Sequence, residues 1–160
     1  MPFISEKFET YNAFANATLK DIYGEKLETA YQKEVTTFSS KLLINKGDGT
    51  FDVSVLPTHV QTAPVLSVIT RDINQDGYED VIVIGNIYET EVETPRYDAG
   101  NGVVLLSNQK DGYTAVSSMK SGLYVDGNAK SLLEVSHKAL NKEILLVGVN
   151  DGPLTVVELK

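Results

Sequence analysis

The sequence predicts a mainly β chain of antiparallel strands with a helical segment at its N-terminus. From about residue 38, short apolar runs rich in β-branched residues alternate with turns rich in Gly, Asp and Asn. One pattern recurs without a gap: Leu42-Leu43 followed by Asp48-Gly49, Leu105-Leu106 by Asp111-Gly112, and Leu145-Leu146 by Asp151-Gly152. Ahead of these strands, Phe8, Tyr11, Phe14 and Ala15 fall on one face of a helical period.

Residues from about 8 to 34 read as helical, and residues 1–37 as a unit apart from the strands of 38–160. Thr18 is placed to cap a turn over Leu19–Tyr23, with Asp21 in capping-box position and Gly24 as the stop. Leu27, Ala30 and Tyr31 continue the apolar face, and aromatic residues so spaced read as packing residues. The triplet Asn16-Ala17-Thr18 reads as incidental. Next, Ser40–Ile44 and Thr50–Val55 form a hairpin around Asn45-Lys46-Gly47-Asp48-Gly49, and Pro57 ends it. Val65–Thr70 and Val81–Ile84 are strands on either side of a polar loop. An irregular acidic stretch follows from Asn86 to Gly100, carrying Glu89, Glu91, Glu93, Arg96 and Asp98. Gly102–Leu106 opens a hairpin that turns at Asp111-Gly112. Ala129–Val135, Lys142–Val149 and Leu154–Leu159 complete the strands, the last pair joined by Asp151-Gly152-Pro153. Strand-plus-turn patterns are generic, but the first two copies also share Asn45/Asn108, Val53/Val116 and Ser54/Ser117. That favours a repeat architecture.

The polar loop, Asp72-Ile73-Asn74-Gln75-Asp76-Gly77-Tyr78-Glu79-Asp80, sets oxygen-bearing side chains at alternate positions. Such side chains converge when the backbone curls, and Ca²⁺ wants about six to eight hard oxygen ligands at about 2.3–2.6 Å. Gly77 supplies the sharp turn and the Tyr78 carbonyl a backbone oxygen. An EF-hand is excluded: its twelfth position needs a bidentate Glu, and Val83 stands there, between strands rather than helices. The same residue types also build ordinary turns that bind nothing. Carboxylates so close repel one another unless a cation sits among them. The full pattern occurs once, so one site is expected, and the other Asp-Gly pairs, Asp126-Gly127 included, read as turns.

Composition narrows the function. The 160 residues carry a net charge of −8, which repels a nucleic-acid backbone. With no cysteine, disulfides and thiolate metal sites are excluded. No apolar run approaches the roughly 20 residues of a membrane span, so no membrane insertion is expected, and the N-terminus lacks the apolar core of a signal peptide. Catalytic motifs are missing: His59 and His137 stand apart, without an acid or nucleophile motif beside either, and read as loop or surface residues. The Glu89/Glu91/Glu93 series could serve as a carboxylate pair for glycoside hydrolysis, but nothing in the sequence places a partner across a cleft, and Arg96 with Asp98 reads as a local ion pair. A non-enzymatic chain is expected.

The calcium loop between two strands resembles that of FG-GAP/VCBS repeats, the β-propeller family that includes the integrin α-chain propeller. Further residues carry the resemblance: Phe8-x-x-Tyr11-x-x-Phe14-Ala15-x-Ala17-Thr18-Leu19-x-Asp21-Ile22-Tyr23-Gly24, Asn45-x-Gly47-Asp48-Gly49-x-Phe51, Gln61-x-Ala63-Pro64, Gly85-Asn86-x-Tyr88 and Arg96-Tyr97-Asp98-Ala99-Gly100. Together they are similar to the C-terminal part of large bacterial VCBS/FG-GAP proteins that carry an ASPIC/UnbV module. The resemblance implies a partial β-propeller of about two to three blades, with residues 1–37 as an insertion within a blade. It implies Ca²⁺ held by Asp72, Asn74, Asp76, the Tyr78 carbonyl and Asp80. It further implies a binding or scaffold module, adhesion-like, from a longer exported protein, extracellular or at the cell surface or periplasm. Its partners would be a protein or glycan ligand and the remaining blades of the parent chain. The alternative is part of a propeller enzyme, a polysaccharide lyase or glycosidase, using the 86–101 loop.

Overall fold

The computed structural model of the chain describes residues 2–109, 112–137 and 142–158. The turn residue Asp111 and the last expected strand residue, Leu159, lie outside them. The chain divides into two units, Met1–Phe38 and Ser39–Lys160.

The first unit corrects the expectation of helix from 8 to 34. It holds only short helices, α1 (Pro2–Lys7), α2 (Tyr11–Ala15) and α3 (Leu19–Tyr23), and a 3-10 turn, Gly24–Leu27. From 28 to 40 there is no regular element. Side-chain caps cut the helix into pieces. The Thr10 hydroxyl accepts the Ala13 N–H, and Thr18 forms a reciprocal capping box with Asp21. Helices of five residues bury nothing, and the aromatic residues expected to pack are largely open: Tyr11 is 95 % exposed and Tyr31 86 %. The Phe8 and Phe14 rings meet edge to face at 5.8 Å.

The second unit is antiparallel β throughout its described strands. A hairpin joins β1 (Lys41–Asn45) to β2 (Phe51–Val55). A four-stranded meander follows: β3 (Ser67–Arg71), β4 (Asp80–Ile84), β5 (Val103–Ser107) and β6 (Tyr113–Val116). A three-stranded meander ends it: β7 (Asn128–His137), β8 (Lys142–Asn150) and β9 (Thr155–Val157). A 3-10 turn at Thr58–Val60 and a helix, α4 (Ser118–Ser121), were not among the expected elements. Neighbours within each sheet are consecutive in sequence, and none of the sheets closes into a barrel. Among the described residues no helix is long and apolar enough to cross a membrane.

The core lies between the two larger sheets. Ile82, Ile84 and Val104 meet Leu145, Val147 and Val157, with Leu123 and Val125 from the connection filling the seam. Val83, Leu105 and Val60 make a smaller cluster on the opposite side. β4 is thus buried on both faces, which explains its unbroken apolar run. β3 and β7 are joined by side chains: Arg71 pairs with Glu134, and the Leu132 N–H donates to Ser67 Oγ at 3.0 Å.

Candidate functional site

The polar loop leaves β3 after Arg71 and returns at Asp80, and these two residues are ladder partners, so the loop is closed at its base. Two left-handed residues bend it, Gln75 (φ +60°) and Gly77 (φ +89°). Asp72 then accepts the Asp76 N–H through Oδ1 (3.0 Å) and the Gly77 N–H through Oδ2 (2.8 Å). Asn74 Oδ1 accepts the same Asp76 N–H at 3.1 Å, and its Nδ2 donates to Asp76 Oδ2 at 3.0 Å. Asp76 Oδ1 accepts the Tyr78 N–H at 3.0 Å. The side chains of Asp72, Asn74 and Asp76 are therefore drawn to one small volume. That Tyr78 N–H, the Asn74 amide and Gln109 hold the Asp76 carboxyl below its ordinary range. Burial, and then the carboxylates of Asp80 and Glu79, push the Tyr113 phenol up.

Asp80 behaves differently. Its side chain is fully buried, accepting the Ile73 N–H through Oδ2 (2.9 Å) and the Ser107 N–H through Oδ1 (2.8 Å). It ties the loop to the end of β5. Among the described residues no three His, Cys, Asp or Glu side chains stand together as a ready-made metal site. The donor set nonetheless fits a hard cation, because it is all oxygen and both Asp72 oxygens keep a lone pair beyond the N–H each accepts, whereas Asp76 Oδ2 already accepts from Asn74 and Gln109.

The 86–101 stretch is more ordered than its sequence implied. Ile87 and Tyr97 exchange backbone hydrogen bonds of 2.9 and 2.8 Å across it. At its neck sits Asn86, 1 % exposed. Its Nδ2 donates to the carbonyls of Gly100 (2.8 Å) and Gly127 (2.7 Å), and its Oδ1 accepts the Gly100 N–H (2.9 Å). Gly100 has to be glycine, since a Cβ there would press on the Gly85 carbonyl and the Asn86 side chain. Arg96 bonds Asp98 at 2.9 Å and lies over the Tyr88 ring, 4.5 Å from its centre.

Glu89 ties the stretch to the three-stranded sheet. Oε1 accepts from Asn128 (2.7 Å) and Asn150 (2.5 Å), and Oε2 from Lys130 Nζ (3.2 Å). Asn128 and Asn150 are register partners at the start of β7 and the end of β8, so both amides reach one carboxylate. Its own backbone N–H, then Lys130, then the two amides lower the Glu89 pKa from 4.5 to about 2. A folded pKa below the unfolded one contributes stability that is complete above about 4.5 and lost as pH falls through about 2. A ¹³C NMR titration of the Glu89 carboxyl is expected to show a midpoint near 2, rising toward 4.5 in Lys130→Ala. A midpoint at 4.5 in the unmodified chain would refute the network.

Glu91 and Glu93 are exposed, His59 lies in the Thr58–Val60 turn, and His137 ends β7. Sequence reasoning passed over Asn128, Lys130 and Asn150, and read Asn86 only as part of the resemblance. The available signal was an Asn directly after an apolar strand, in Ile84-Gly85-Asn86, and at strand ends beside Gly, in Gly127-Asn128. Compared with known proteins, the chain matches no family model, no curated protein and no solved structure.

Proposed function

We propose that the chain is a Ca²⁺-binding segment of a β-propeller of the FG-GAP/VCBS type, serving as a non-catalytic binding or scaffold module of a longer exported protein. The observation that carries the reading is the 72–80 loop. It joins two antiparallel strands and gathers Asp72, Asn74 and Asp76, with Asp80 fixed at its return. Bound there, Ca²⁺ would supply charge neutralisation. Asp72, Asn74, Asp76, the Tyr78 carbonyl and Asp80 would hold it, and binding energy would become folding energy.

Exposed apolar faces support further blades as partners. Leu43, Phe51, Val53 and Val55 lie open on one face of the β1–β2 hairpin, and Leu133 and Val156 on one face of the last sheet. In a propeller such faces are covered by neighbouring blades. The non-catalytic reading is favoured over a glycosidase because both oxygens of Glu89, the fixed carboxylate of the 86–101 stretch, are taken up by Asn128, Asn150 and Lys130, and its lowered pKa leaves it unsuited to the acid's role. The acid of a glycosidase pair needs the opposite shift.

Thermal and urea unfolding with Ca²⁺ and with EGTA test the reading. Free Ca²⁺ about 100-fold above Kd is expected to raise the unfolding free energy by about 2.7 kcal/mol. Asp76→Ala is expected to abolish the difference between the two buffers. Superimposable curves in Ca²⁺ and EGTA for the unmodified chain would remove calcium from the account.

A further inference from the structure

Asp48-Gly49, Asp76-Gly77, Asp126-Gly127 and Asp151-Gly152 are the Asp-Gly pairs that lie wholly among the described residues. At such a pair the aspartate carboxyl is open to attack by the next peptide nitrogen, because glycine puts no side chain in the way. What separates the pairs is where that nitrogen points. The Gly77 N–H donates to Asp72 Oδ2 at 2.8 Å, away from its own aspartate. Asp48 is turned onto Thr50, accepting its N–H (2.9 Å) and its hydroxyl (2.6 Å). The Gly127 N–H, by contrast, donates to Asp126 Oδ1 at 2.8 Å, and among the described residues no other Asp-Gly pair is closed on itself in this way. A nitrogen so close to one carboxyl oxygen lies about 3–3.5 Å from the carboxyl carbon, the range from which attack begins. Gly127 is held there: its φ is +94°, and its carbonyl accepts from Asn86 Nδ2 (2.7 Å) and the Ala129 N–H (3.0 Å). Asp126 is exposed and borders an open cleft of about 610 Å³, so water can leave and return.

We infer that Asp126-Gly127 is a site of spontaneous covalent modification, at which the folded chain converts aspartate to isoaspartate through a cyclic succinimide. With Asp126 as the carboxylic acid, the Gly127 nitrogen adds to Cγ and its proton passes to Oδ1, the oxygen it already faces. The tetrahedral carbon then carries two hydroxyls. One leaves with the other's proton as water, which closes a five-membered imide. Water adds back at either imide carbonyl: breaking the Cγ–N bond restores aspartate, and breaking the bond from the α-carbonyl to nitrogen leaves isoaspartate. No oxidant or further reactant is consumed. Isoaspartate lengthens the main chain by one methylene carbon between Val125 and Gly127. Val125 and Asn128 are buried on either side, so the added length is taken up at the Gly127 carbonyl, away from Asn86. The modification thus loosens the neck of the 86–101 stretch.

The full chain, folded in EGTA or unfolded in urea, is incubated at mildly acidic pH, and isoaspartate at each Asp-Gly pair is quantified by electron-transfer mass spectrometry. In the folded chain Asp126 is expected to convert about tenfold faster than Asp48, Asp76 and Asp151. Unfolding is expected to slow Asp126 and to level the four rates. Asp126→Asn is expected to show the same preference for the folded state, read as loss of ammonia. The purified isoaspartate form is expected to unfold at a lower urea concentration than the unmodified chain. Conversion of Asp126 no faster than the other three in the folded chain, or faster in urea than in the folded chain, would overturn the site. An unchanged urea midpoint in the modified chain would overturn its link to Asn86. Because EGTA is present throughout, none of these outcomes depends on the calcium reading.

Discussion

Replacing Asp80 by Ala is expected to lower the unfolding free energy by about 3–5 kcal/mol. The carboxylate is fully buried, and its two oxygens accept the N–H groups of Ile73 and Ser107. Alanine removes both acceptors at once, leaving the N–H of the loop and that of β5 without partners in a site closed to water. Asp80→Asn keeps one oxygen but turns an NH₂ toward the other donor, and about 2–3 kcal/mol is expected to be lost. Urea unfolding in EGTA reads both values free of any contribution from metal, provided the m-value is unchanged. A loss below about 1 kcal/mol for Asp80→Ala would mean that water reaches the site and that the bridge between loop and β5 is not structural.

Asn86→Ala is expected to be comparably damaging, at about 3–4 kcal/mol, because three hydrogen bonds from one buried amide disappear together. Asn86→Asp is the more telling variant. It keeps the acceptor for the Gly100 N–H but sets a carboxylate oxygen against the carbonyls of Gly100 and Gly127, where the amide had donated. It is expected to be at least as destabilising as alanine at neutral pH, and to regain stability as the pH falls and the acid can donate. Urea midpoints at neutral and acidic pH check this. An Asp variant equal to the unmodified chain at neutral pH would show that the amide donors are dispensable.

Why these two residues escaped a sequence reading is instructive. Asp80 was legible as an oxygen in an alternating pattern, and the curl of its loop followed from Gly77. Its burial was not legible, because the donor that fixes it comes from Ser107, on a strand that only pairing places beside it. Asn86 could be read only as one letter of a resemblance, since its partners stand at 100 and 127. The strands themselves were plain, as β-branched runs and Asp-Gly turns carry local information. Val65–Thr70 became Ser67–Arg71, and the other strands also shifted only at their ends. The helical segment misled for a related reason. Periodicity at Phe8, Tyr11 and Phe14 reports spacing, not burial, and the capping threonines decided how far each helix ran. Glu89 stood out as an acidic residue in a long loop, but its partners became visible only once β7 and β8 brought Asn128 and Asn150 into register.

The consecutive order of strands in each sheet has a bearing on how the chain reaches this structure. Every ladder joins neighbours in sequence, so hairpins can close early and locally, and the long-range packing of β3 against β7 is left to follow. The longest excursion within a sheet runs from the end of β4 at Ile84 to the start of β5 at Val103, and loop closure costs most entropy there. Asn86 and Gly100 clasp the two ends of that excursion. Closing that excursion carries the largest loop-entropy cost within the four-stranded sheet, and the Asn86–Gly100 clasp is what holds it shut.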